Sequence, residues 1–171
     1  MKFFTRAATT ALTGLVIFGF ASAAFAQRLE RQSFDAVKVN FLLRTATETG
    51  HTVFRGGEPC EDGVYGFATS TKQLLICVDN HGNNLDELAD TVRHEAFHLA
   101  QFCKARRVGA SMALIFPDLN DEALELARDL GMPMERYDER QHPFEAEARA
   151  AAFALDEHRI AAILEAECHH D

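Results

Sequence analysis

The sequence predicts an α+β domain that is mostly helical, with a small antiparallel β-hairpin or sheet placed ahead of its central helix. Three observations carry this expectation. Apolar residues recur at helical spacing near the start of the chain and again after Asn84. Between those runs, GVYGFATSTKQLLICVDN gathers aromatic and β-branched residues on both sides of a polar centre at Ser70 to Lys72. From Pro143 onward the chain is rich in alanine, the strongest helix former.

The first segment reads differently from the rest. In MKFFTRAATTALTGLVIFGFASAAFAQRLE, Lys2 and Arg6 precede an apolar run that ends in Ala24-Phe25-Ala26. A basic start, an apolar middle and a small-x-small end describe a secretory signal peptide over residues 1–26, with cleavage after Ala26. An uncleaved anchor is the alternative, because the run approaches the ~18 residues that a spanning helix needs. Residues 27–171 then form a single domain, long enough to bury its own core. No later run is long and apolar enough to span, so no stable membrane span is expected after cleavage, and the protein is expected to be secreted or periplasmic.

The elements follow in order. RLERQSFDAVKVNFLLRTATETG spaces Phe34, Val37, Phe41 and Leu42 as a helix does, and Gly50 suits its stop. Gly56, Gly57 and Pro59 break regular structure, and hairpin strands are expected near residues 63–69 and 73–79. Asn84 with Glu87 three residues later is a capping-box pattern that opens the central helix. DLNDEALELARDLG reads as a shorter helix closed by Gly131, and Pro143 as the first-turn proline of the alanine-rich helical stretch.

The leader holds two of the 17 basic residues and none of the 26 acidic ones, which leaves a mature net charge of −11 with histidines neutral. Such a chain is repelled by nucleic acid and by anionic lipid, so neither is an expected partner. Cys60, Cys77, Cys103 and Cys168 all follow the leader. An even count in an exported chain suggests two disulfides, for which three pairings exist. Cys60 and Cys77 bracket the hairpin, which leaves Cys103 to meet Cys168. A Cys2His2 structural zinc site competes with this, but the chain lacks the paired close spacings of such sites.

Within the central helix, TVRHEAFHLAQFC sets His94 and His98 four positions apart with Glu95 directly after the first. Residues four apart on a helix stack on one face, so both imidazoles can reach one ion. Leu85, Leu88, Val92, Ala96, Leu99 and Cys103 form an apolar stripe, and His94, His98 and Gln101 lie on the opposite side. The stripe can anchor the helix while the histidines look into another space. The alternative is that they face bulk water.

A catalytic zinc takes three protein ligands and keeps one position open. The metzincin continuation of HExxH needs glycine and histidine where this chain has Gln101 and Lys104, which excludes that branch. With HEAFH followed at a distance by PFEAEARAAAF, the chain resembles the zincin metallopeptidases, in particular the glutamate-ligated gluzincin branch in its small, minimal form. The resemblance covers the expected order of helix, hairpin, HExxH helix and glutamate helix. The Asn-Glu-x-x-x-Asp form of the thermolysin-like second motif is missing. What the resemblance implies is a minimal zincin-like domain that binds zinc (Zn2+) through His94, His98 and Glu147. Glu95 would be general base and acid, and a peptide or protein would be the substrate. Glu145 competes with Glu147 for the third ligand, since residues two apart on a helix point about 200° from one another. His142 and Tyr137 are candidate stabilisers of a developing oxyanion. Among the other histidines, His51, His81 and His158 carry no assigned role, and His169 and His170 read as solvated, with metal scavenging by the CHHD end as the alternative. The alternatives in function are a secreted zincin-fold binding module without catalysis and a zinc amidase acting on cell-wall material.

Overall fold

In the computed structural model, which describes residues 36–169, the first helix (α1, residues 36–48) buries Val39, Leu42, Leu43 and Ala46. Those positions follow the i, i+3, i+4, i+7 spacing of one helix face. The expected face is therefore rotated: Val37 is exposed and Phe41 only packs against the core, while Phe34 and the expected signal peptide lie outside the described residues.

A short strand that the sequence did not suggest comes next. Strand β1 (Thr52–Arg55) precedes β2 (Gly66–Thr69) and β3 (Gln73–Ile76), and the sheet order is β1-β3-β2. The expected hairpin is β2–β3, antiparallel with Phe67 opposite Leu75. Its turn end falls where residues 63–69 and 73–79 place it, and it is shorter only at its open end, by residues 63–65 and 77–79. In place of longer strands, Asn80 donates to the carbonyls of Cys60 and Val64, and residues 78–81 tighten into a 3₁₀ turn. β1 pairs parallel to β3, Val53 opposite Leu74, so the sheet is mixed and β3 is its buried centre. Both outer strands are edges.

Helix α2 (Leu85–Val108) begins where the sequence places it: the Asn84 side chain accepts the Glu87 amide at 3.2 Å. Its stripe, Leu88, Val92, Ala96, Leu99 and Cys103, enters the main core with α1, Leu74 and Ile76. The opposite side is buried too. Helix α3 (Asn120–Asp129) packs Ala123 and Ala127 against Ala146 of α4 (His142–Ala154). α4 crosses α2 in antiparallel sense. Arg93 donates to the Ala152 carbonyl and Arg149 pairs with Asp90, while Gln101 donates to the Phe144 carbonyl. Ala148 and Ala151 against Phe97 keep the two helices close.

The alanine-rich stretch is two helices rather than one. Leu155 is extended, and the Asp156 side chain accepts the Arg159 amide at 2.9 Å to start α5 (Glu157–Cys168). α5 lies on the stripe side of α2, contributing Ile160, Ala161 and Leu164 to the core, and α2 is thus enclosed between α4 and α5. Disulfides join Cys60 to Cys77 and Cys103 to Cys168. No helix among the described residues is long and apolar enough to cross a membrane.

Candidate metal centre

His94 and His98 do not face bulk water: they are 8% and 5% exposed, with their rings edge to face. Their Nε2 atoms stand 3.1 Å apart. Glu145 reaches both, with its Oε2 at 3.4 Å from His94 Nε2 and 3.3 Å from His98 Nε2. Four donors around a zinc at ligand bonds of about 2.0–2.1 Å sit about 3.3 Å from one another, the edge of a tetrahedron. The three observed separations match that edge. The donor set, two imidazoles and a carboxylate, also suits a divalent ion of zinc's class.

The carboxylate at the histidines is Glu145, and not Glu147 as the resemblance implied. Glu147 is turned away and held by other partners. It accepts the backbone amides of Ile115 and Phe116 and, at 2.7 Å, the Gln101 side chain. The two glutamates do point to different sides of α4. Glu145, in the first turn of α4, meets His94 and His98, while Glu147, two residues on and on another side of α4, meets Gln101.

Glu147 still bears on the cluster through Gln101. That amide is fully buried and donates from Nε2 to the Glu147 carboxylate and the Phe144 carbonyl, both pure acceptors. Its Oε1 must then face His98 Nδ1, at 2.7 Å, and Nδ1 must be the protonated nitrogen. His98 Nε2 is left to point at the cluster, in the manner of an outer hydrogen bond that fixes a metal-ligating tautomer. His94 has no such partner among the described residues, where its buried Nδ1 makes no hydrogen bond.

The carboxylates of Glu95 and Glu145 favour positive charge at the cluster. Burial works against a charged His98, but the Glu145 hydrogen bond and the nearby Glu95 and Glu145 carboxylates outweigh it, raising its pKa to about 9. For Glu145, burial favours the neutral acid, yet the hydrogen bonds from His94 and His98 prevail and its pKa falls to about 2. A proton on His98 supplies one positive charge at this point; a divalent cation supplies two.

Glu95 lines the cleft beside His94 without joining the three donors. It is backed by Gly66 of β2: a Cβ there would lie 3.0 Å from the Leu75 carbonyl, 3.1 Å from Thr91 Cγ2 and 3.2 Å from Glu95 Cγ. Only glycine lets the strand approach α2 so closely. The cleft has two lobes, of 640 and 810 Å³, which share Gly66, His94, Glu95 and Tyr137, so His94 and Glu95 lie at the waist between them while His98 and Glu145 line the first lobe. The first lobe is also walled by Phe67 and Ala68 of the β2 edge.

Tyr137 therefore does belong to the cleft. Its hydroxyl pKa is raised, first by burial and then by the Glu145 and Glu95 charges, so it stays protonated. His142 does not line either lobe; its Nε2 bonds the Tyr137 carbonyl at 3.1 Å and holds that segment in place. His51 is buried against the Cys103–Cys168 bridge, and His158 packs on Phe41. His170 lies outside the described residues. Gly66 and the Ile115–Phe116 amides had no local signature in the sequence. Gln101 had one, since it shares the histidine side of α2. The chain matches no family model, no curated protein and no solved structure.

Proposed function

We propose that the chain is an exported zinc metallopeptidase, with His94, His98 and Glu145 as ligands and Glu95 as general base and acid. The observation that carries this reading is the set of three donor atoms at 3.1 to 3.4 Å from one another, beside a second carboxylate, Glu95, in a two-lobed cleft. Zinc held there supplies a Lewis acid for the scissile carbonyl and lowers the pKa of water. Glu95 takes the proton of the attacking water and hands it to the leaving amine. Tyr137, which lines the cleft and whose hydroxyl pKa is raised, is the proposed donor to the oxyanion. The edge strand β2 offers unpaired backbone groups along which an extended peptide can lie. Two disulfides support export, because such bridges persist in oxidising compartments.

The test is metal content together with turnover on a panel of peptides and cell-wall fragments, with and without chelator. About one zinc per chain is expected, lost when His94 and His98 are both changed to alanine. Glu95→Gln is expected to keep the metal and to lose about 10²-fold or more in turnover. Zinc binding with no turnover on any member of the panel would make the chain a binding module. Turnover confined to cell-wall amides would make it an amidase.

A further inference from the structure

The two lobes of the cleft differ in charge. The 640 Å³ lobe carries Asp138 and Glu145 beside Arg140, and Asp138 and Arg140 pair with each other. The 810 Å³ lobe is lined by Arg136 and Arg149, with Glu95 as the one carboxylate among its lining residues. Folding accounts for neither cation fully. Arg136 makes no ion pair among the described residues, and Arg149 pairs with Asp90 through Nη2 while its buried Nε has no partner. The charges of both arginines are felt at the Tyr137 hydroxyl, where they oppose Glu145 and Glu95. The same lobe exposes large apolar side chains: Tyr65 is 46% exposed, Leu130 39% and Phe153 62%. Exposed apolar surface gathered around two cations is a recognition surface for a group that is both apolar and anionic.

We propose that this lobe is a subsite for a carboxylate on the chain being cleaved, with Tyr65, Leu130 and Phe153 covering the apolar part next to it; the inference rests on the metallopeptidase reading above. A guanidinium fork matches a carboxylate in shape and charge. The setting sharpens the match: on a chain of net charge −9, this lobe sets two arginines against a single carboxylate and so attracts an acidic group that the net charge of the chain repels. The carboxylate has two possible sources, an Asp or Glu side chain or a free C-terminus, and both satisfy the same cations.

Two measurements on the full protein loaded with zinc test this. A mixture of decapeptides randomised at every position is digested and the cleavage sites are read by mass spectrometry. Separately, zinc-loaded Glu95→Gln protein is titrated by NMR with the tripeptides Ala-Phe-Asp-amide, Ala-Phe-Asn acid and Ala-Phe-Asn-amide. Cleavage is expected to favour Asp, Glu or the chain end at one fixed position. The tripeptide without a carboxylate is expected to bind about tenfold more weakly than the form carrying the preferred carboxylate. Arg136→Glu, at an exposed position that folding tolerates, is expected to erase that ratio. Cleavage without an acidic preference, equal binding of the three tripeptides, or a ratio unchanged in Arg136→Glu overturns the subsite and leaves the peptidase reading standing. Carboxylate-selective binding without cleavage of any peptide supports the subsite and overturns the peptidase reading. Neither binding nor cleavage overturns both.

Discussion

Removing the carboxylate of Glu147 takes an acceptor from the fully buried Gln101 amide and from the part-buried amides of Ile115 and Phe116. An unsatisfied buried donor costs about 1–3 kcal/mol, so Glu147→Ala is expected to lose about that much, measured by urea denaturation of chelated protein. The same change frees Gln101 to release His98, and outer hydrogen bonds of this kind are worth about 10–100-fold in metal affinity. Glu145→Ala removes a donor of the cluster itself and is expected to weaken zinc more than Glu147→Ala does, by competition with a chromophoric chelator. The opposite order would return Glu147 to the ligand set. Proton binding at the cluster gives a second expectation. His98 has a folded pKa of about 9 against an ordinary 6.5, so its contribution to stability is complete below 6.5 and disappears as pH rises through 9. Glu145, at about 2 against 4.5, contributes fully above 4.5 and loses that contribution as pH falls through 2. Chelated protein is therefore expected to be most stable between about pH 4.5 and 6.5 as far as this pair decides it. Added zinc competes with the His98 proton, so its stabilising effect is expected to grow from pH 6.5 toward 9. Thermal melts across that range, with and without chelator, read both trends.

At the scale of elements, the cleft depends on how near β2 lies to α2. Gly66→Ala puts a methyl group 3.0 Å from the backbone oxygen of Leu75 and 3.2 Å from Glu95 Cγ, and only the side chain can give way easily. Overpacking of this kind costs about 1–3 kcal/mol, and here the atom that moves belongs to the proposed general base. Zinc content is expected to stay near that of the parent while turnover falls; a loss of zinc equal to the loss of turnover would show that the strand supports the ligands instead. The break between α4 and α5 is a similar local device. Asp156 caps α5, and the turn it makes lets α4 cross one side of α2 while α5 covers the other. A single uninterrupted helix could not do both.

Across the whole molecule, the Cys103–Cys168 bridge spans 65 residues and ties the end of the central helix to the last turn of α5. Closing a loop of that length removes enough unfolded-chain entropy to stabilise by about 4 kcal/mol, against about 3 kcal/mol for the 17-residue span of Cys60–Cys77. Serine at both Cys103 and Cys168 is expected to lower the melting temperature more than serine at Cys60 and Cys77. Equal shifts would mean that residual structure in the unfolded chain, rather than loop length, sets the cost.

The parts that local chemistry governs were legible in the sequence. Asn84 caps α2 because its side chain reaches an amide three residues away, and the apolar stripe of α2 is buried because helical periodicity alone places it on one face. The stacking of His94 and His98 follows from the same geometry, and the hairpin from its own turn. The cysteine pairing followed from which cysteines bracket a hairpin. The tertiary structure alone decided the rest, each time through partners distant in the chain. β1 exists as a strand because β3 accepts it in parallel, a pairing that no four-residue run announces. Val39 rather than Val37 faces the core because of what α1 packs against. Glu145 and Glu147 are indistinguishable as residues, and either could have met the histidines. The way α4 is rotated against α2 sent one to His94 and His98, and the Gln101 amide with the Ile115–Phe116 loop took the other. Helical periodicity fixes the angle between two side chains on one helix, but which of them is turned toward a neighbour is a property of the packed core.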